Sequence, residues 1–237
     1  MRVVFIHGAF SRDGSWWWAS TAALLDRSGI ASTAVALPSC GEAGIAPTGT
    51  GPDLHDDAAA TTAVLDEGGP AIIVAHSYGG MVATEVGDHP AVRGLVYISS
   101  FLPIVGESLA TLSGGADPVP VTAHADGSVS VNDDDTDAFD ARFLHDVQAP
   151  GLVSGAHERL CAQSSVVFGA ETTTAAWERV PSTYLVCAED RSTNPNLQRA
   201  HAARATTIRE LPAAHFPMLS RPDLVAACIE QIAPRLG

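Results

Sequence analysis

Short, continuously apolar runs rich in β-branched side chains recur at residues 2–6, 32–36, 71–75, 94–98, 183–187 and 206–211. The central runs do not alternate with polar positions, and a strand needs this when both of its faces are covered. The pattern therefore predicts a parallel sheet. Helical periodicity fills the gaps at 20–28, 53–67, 78–87, 194–203 and 223–232. In the last of these, Leu224, Val225, Cys228, Ile229 and Ile232 fall on one helix face. Strand alternating with helix predicts an α/β fold: a doubly wound, mostly parallel sheet of about six strands with helices on both faces.

The alternation breaks between Pro103 and Pro181, where the chain becomes rich in Gly, Asp and Pro. A hairpin is expected here, 119–122 with 128–131, turning at Ala125-Asp126-Gly127, followed by helical pieces near 137–148, 156–161 and 172–178. An insertion of this size between two strands of a parallel sheet reads as a cap over the strands' carboxyl ends. The expected division is a core of 1–103 and 181–237 with a cap of 104–180. The run Asp133-Asp134-Asp135 lacks the glycine and distal glutamate of a calcium loop and reads as a solvated turn and helix N-cap.

Of the 237 residues, 46% are hydrophobic and 17% charged, so a substantial core can be buried. Thirteen basic against 27 acidic residues give a net charge of −14, a field that repels phosphate. Nucleic acid and anionic membrane surfaces are accordingly excluded as partners. All the basic residues are arginine. Without lysine there is no Schiff-base chemistry and no lysine-bearing phosphate loop. Gly49-Thr50-Gly51 has Leu54 where a dinucleotide loop needs its third glycine, and no metal-ligand spacing such as HExxH occurs. No cofactor and no metal are expected. Cys40, Cys161, Cys187 and Cys228 are widely spaced and expected to be reduced thiols. With no leader-like or membrane-spanning run, the expected location is cytoplasmic.

The chemistry concentrates in Ala75-His76-Ser77-Tyr78-Gly79-Gly80, where an apolar strand turns into a helix within a few residues. Such a turn strains its central residue and needs small neighbours, and it would push the Ser77 hydroxyl out at the top of the sheet. A serine hydroxyl keeps its proton near neutral pH, so it needs a base, and the base needs an orienting acid. Among nine histidines, His215 stands on a short loop after the last strand, where this architecture places catalytic groups. His7 and His76 flank tight turns and are expected to bond locally. The acid is expected after the strand ending at Cys187, from Glu189 or Asp190, of which only one can face inward.

With these motifs in view, the chain resembles the α/β-hydrolases, in particular the branch containing plant methyl esterases, hydroxynitrile lyases and bacterial serine esterases. His7-Gly8-Ala9, the Ser77 elbow, Cys187-Ala188-Glu189-Asp190 and Ala214-His215-Phe216 carry the likeness, and Gln198-Arg199 adds to it. The resemblance assigns the acid to Asp190 and the oxyanion hole to the backbone N–H groups of Ala9 and Tyr78. It also implies that the two leading strands of larger relatives are missing. Lyases of that branch carry threonine at the Gly8 position and lysine after the histidine. Here Phe216 follows His215, which argues against lyase chemistry.

The expected activity is hydrolysis of a small, largely apolar carboxylic ester or lactone by the triad Ser77, Asp190 and His215, with Phe10, Trp17, Leu102, Phe143 and Trp177 lining the pocket. Amides, thioesters and carbamates suit the same triad, and a ligand-binding receptor on this scaffold is the alternative from another class. An edge strand or the cap offers a surface through which two copies could form a homodimer, although no feature demands it.

Overall fold

The computed structural model describes residues 1–113, 118–131 and 135–233. Among them, six strands form one parallel sheet in the order β2-β1-β3-β4-β8-β9, namely Ser32–Ala34, Arg2–Ile6, Ala71–His76, Val92–Ile98, Ser182–Cys187 and Thr207–Leu211. Register is continuous across the centre, with Val4 beside Ile73, Ile73 beside Leu95 and Tyr97 beside Tyr184.

Alternate residues of the central strands supply two separate cores. Val3, Phe5, Ile72, Val74, Val96, Ile98 and Leu185 face one side, against Leu25 of helix Ala19–Arg27 and Val225 and Ile229 of helix Pro222–Ile232. Val4, Ile6, Ile73, Leu95, Tyr97 and Tyr184 face the other, against helices Leu54–Asp66, Gly79–Val86 and Pro195–Ala202. Covering both faces is what the uninterrupted apolar runs required. Losing one of these buried branched side chains to alanine costs about 2–5 kcal/mol.

Between β4 and β8 the elements are short. Helix Leu109–Leu112 precedes strands β5 (Val121–Ala123) and β6 (Ser128–Val131), and β7 (Gln163–Ser164) completes a three-stranded antiparallel sheet in the order β5-β6-β7. The expected hairpin is present, with its first strand displaced toward Ala123, whereas β7 was not anticipated. The expected helix over 137–148 is instead Thr136–Phe139 followed by a π-helical turn, Asp140–Leu144. The piece expected at 156–161 is Pro150–His157, because Pro150 starts a helix well and fixes its first turn. Only Ala176–Glu178 of the piece expected at 172–178 is helical, as a 3-10 turn. Asp135 Oδ1 accepts from the Ala138 amide at 2.9 Å as an N-cap, while Asp133 and Asp134 lie outside the described residues.

Candidate active site

Ser77 follows β3 directly and sits at φ +50°, in the left-handed region, before helix Gly79–Val86 begins. Its amide donates to the Ile98 carbonyl at 3.1 Å, and its carbonyl accepts from Ser100 Oγ at 2.6 Å, so the strained turn is held from both sides. A Cβ at Gly80 would lie 2.6 Å from the Phe101 carbonyl, so only glycine lets the new helix pack this close to the loop after β4.

Asp190 ends the turn after β8 and is 4% exposed, while the adjacent Glu189 points to solvent. Five donors converge on the Asp190 carboxyl. The amides of Ser192 and Thr193 reach Oδ1 at 2.7 and 3.0 Å. Gln198 Nε2 reaches Oδ2 at 3.0 Å, His215 Nδ1 at 2.9 Å, and the Ser99 hydroxyl donates to the same oxygen. Gln198 is itself fixed by accepting from the Cys187 amide at 2.9 Å. Ser99 was not foreseen. It follows β4 directly at φ +44°, and its Oγ also lies 3.1 Å from His215 Nδ1.

His215 is 4% exposed on the loop after β9. The preceding Ala214 amide donates to Asp146 Oδ2 at 2.8 Å, and the His215 carbonyl accepts from His76 Nε2 at 2.8 Å. Burial, and then the neighbouring His215, hold His76 well below the usual histidine range, which suits a neutral ring donating through Nε2. His7 bonds locally as expected, through Nδ1 to Gly8 and through Nε2 to Glu42 at 2.8 Å. Because Nδ1 of His215 is committed to Asp190 and Ser99, Nε2 remains for the cavity. No hydrogen bond joins it to Ser77 Oγ in this resting arrangement.

Ser77, His215, Ala9 and Tyr78 all line one cavity of about 460 Å³. Phe10 and Phe143 line it too, with Phe101, Phe139 and Phe168 completing an aromatic wall. Trp17, Leu102 and Trp177 do not line it, which corrects the sequence reading. Trp17 is 1% exposed and stacks on Phe216 with centroids 4.9 Å apart, behind the histidine loop. Leu102 is wholly buried in the core on the other face of the sheet, leaving its neighbour Phe101 to face the cavity. Trp177 donates its indole N–H to the Pro103 carbonyl at 2.6 Å and packs against that same core. An aromatic or apolar residue near a strand end looks the same in a sequence whether it fills a core or walls a cavity.

A parallel sheet with a strained serine at the elbow and a carboxyl–imidazole pair beside it defines a class. The chain belongs to the alpha/beta hydrolase family, whose model matches residues 3–228, and it is an enzyme of that class. More particularly, it is 30% identical over 216 residues to the alpha/beta hydrolase nvfD of Aspergillus novofumigatus, covering 85% of each chain. Among solved structures it superposes on a pyrethroid hydrolase from Sphingobium faniae JZ-2 with a TM-score of 0.85 at 23% identity, over 99% of this chain and 97% of that one. Methylesterase MES16 from Arabidopsis superposes with a TM-score of 0.80 at 22% identity, over the whole of both chains. Its fold is that of the methylesterase-like branch. Among the described residues no helix is long and apolar enough to cross a membrane.

Proposed function

We propose that the protein is a serine esterase hydrolysing a largely apolar carboxylic ester or lactone through an acyl-enzyme. Ser77 attacks the carbonyl carbon while His215 Nε2 takes its proton. The imidazolium then delivers that proton to the leaving alcohol, and water repeats the sequence on the acyl-enzyme. Asp190, with its two oxygens fully engaged, holds the ring with Nε2 toward the cavity. The amides of Ala9 and Tyr78 receive the developing oxyanion, where two oriented N–H donors stabilise charge that the ground state lacks. The Ser77–His215 hydrogen bond would form as substrate enters the cavity. Catalytic hydrogen bonds of this kind often tighten only around substrate.

The single observation that carries the reading is the His215–Asp190 pair at 2.9 Å opening onto the same aromatic cavity as the strained Ser77. The aromatic wall favours an acyl or alcohol group with substantial apolar surface. The relatives support this range, because one neighbour is described as a pyrethroid hydrolase and another as a methylesterase. We further propose that residues 104–180 act as a cap, supplying Phe139, Phe143 and Phe168 to the cavity.

The test is labelling with a fluorophosphonate, then peptide mapping and turnover of a p-nitrophenyl ester series. The expected result is one adduct per chain on Ser77, lost in His215→Ala, and multiple equivalents of product released per chain. In Ser77→Ala the rate should fall at least 10³-fold. Adduct elsewhere, or stoichiometric release alone, overturns the reading, the second outcome favouring a receptor.

A further inference from the structure

Behind the cavity wall lies a buried chain of hydrogen bonds that the proposed triad does not use. The Phe10 amide donates to Gln163 Oε1 at 3.1 Å, and Gln163 Nε2 donates to Ser39 Oγ at 3.0 Å. Ser39 Oγ in turn donates to Asp57 Oδ2 at 2.6 Å, and the Tyr78 hydroxyl donates to the same oxygen at 2.7 Å. The Ser39 amide reaches Asp57 Oδ1 at 2.9 Å. Gln163, Ser39, Asp57 and Tyr78 are all wholly buried. Every donor along this path points toward one carboxyl group, the arrangement in which such bonds reinforce one another.

The two ends of the chain matter. One is the loop carrying Ala9, and the other is the side chain of the residue after Ser77. Phe10 stands at φ +58°, a conformation that costs a non-glycine residue about 1–2 kcal/mol and persists only where its surroundings hold it. Its amide is held by Gln163 and its carbonyl accepts from the Cys161 amide at 3.0 Å. The Ala9–Phe10 peptide unit is also held on its carbonyl side, where Ser11 Oγ donates to the Ala9 oxygen at 3.2 Å. Stability alone gives little reason for such a network, since well-packed apolar residues commonly serve as well as a buried charge with its partners.

We infer that Gln163, Ser39 and Asp57, with the Tyr78 hydroxyl, are positioning residues that set the spacing of the Ala9 and Tyr78 amides and so tune the oxyanion hole. Gln163 comes from β7, in the inserted segment, so that segment would shape the catalytic machinery as well as the cavity. The inference rests on the acyl-transfer reading. A group that positions a transition-state donor affects kcat, whereas a group that shapes the cavity affects KM.

The experiment compares Gln163→Leu, Tyr78→Phe, Ser39→Ala and the Gln163→Leu/Tyr78→Phe double variant on one p-nitrophenyl ester. Each is also measured against a trifluoromethyl ketone, which adds to serine and leaves an oxyanion in the hole. Each single change should lower kcat about tenfold with KM within twofold, and the ketone's affinity should weaken by the same factor as kcat/KM. Because the path is broken once by either change, the double variant should be no more than about twofold slower than the worse single one. Unchanged kcat in folded Tyr78→Phe or in folded Ser39→Ala, or multiplying effects in the double variant, overturns the inference. Thermal melts identify any variant that fails to fold, and Tyr78→Phe preserves shape well enough to decide alone. Absence of a Ser77 fluorophosphonate adduct in the wild type would instead overturn the acyl-transfer reading beneath it.

Discussion

Ser99 has the least conspicuous sequence setting of the residues at the site and a clear geometric role. Nothing in Ile98-Ser99-Ser100 distinguishes it from an ordinary strand end. Yet its left-handed backbone turns Oγ toward both Asp190 and His215 Nδ1. Replacing it with alanine removes one hydrogen bond to a charged partner, worth about 1.5–3 kcal/mol. Ser99→Ala should therefore lower kcat by about ten- to a hundredfold with little change in KM, measured by steady-state hydrolysis. Gly8 shows the opposite kind of constraint, because a Cβ there would sit 2.9 Å from His76 Nδ1 and 3.1 Å from Ser77 Cβ. A threonine at this position, as in the lyases, would need both neighbours to shift.

At the scale of elements, the central strands were legible because burial on both faces leaves no room for alternation. All six of the sheet's strands fall at or within two residues of their expected positions. The positions of Ser77 and His215 were legible for a related reason, since each stands in the turn or loop after a recognisable strand, whereas the residues alone left Glu189 and Asp190 open until the resemblance chose between them. The inserted segment was not. Among the described residues its elements are two to eight residues long, too short for a period to declare itself, and β7 has only Gln163 and Ser164. Gln163, Ser39 and Asp57 are isolated polar residues far apart in the chain, and only folding reveals them as one network. The pocket was half legible, since Phe10 and Phe143 face it while Trp17, Leu102 and Trp177 pack elsewhere.

Helix Leu54–Asp66, which carries Asp57 in its first turn, begins with a capping box. Asp53 accepts from the His55 and Asp56 amides at 2.8 and 3.3 Å, and Asp56 Oδ2 accepts from the Asp53 amide at 2.8 Å. Asp53→Ala should destabilise the protein by about 1 kcal/mol, read as a lower urea midpoint at unchanged slope.

For the molecule as a whole, stability should respond to acid through buried histidines. Burial, then the nearby Arg204, push His201 down to about 4. Unfolding frees this ring to take up a proton near its ordinary 6.5. Between those values the unfolded chain binds more protons than the native one, so stability is lost as pH falls from 6.5 toward 4. His76, also held below 6.5, acts in the same direction, whereas burial raises the Asp57 carboxyl and opposes it. The test is therefore differential. Urea unfolding at pH 7, 6 and 5 should show His201→Gln losing less stability on acidification than the wild type, by about 1.4 kcal/mol per pH unit once below 6. Equal slopes would mean that the native ring titrates like a free one.

The inserted segment is fastened to the core well beyond its two chain junctions. Arg12 and Cys161 amides cross to Arg159 and Phe10, Gly49 donates to Asp126, Thr48 to Ser164, and Arg191 to Ala141. With cross-links spread along its length, the segment should unfold together with the sheet, so urea transitions followed by tryptophan fluorescence and by circular dichroism should coincide.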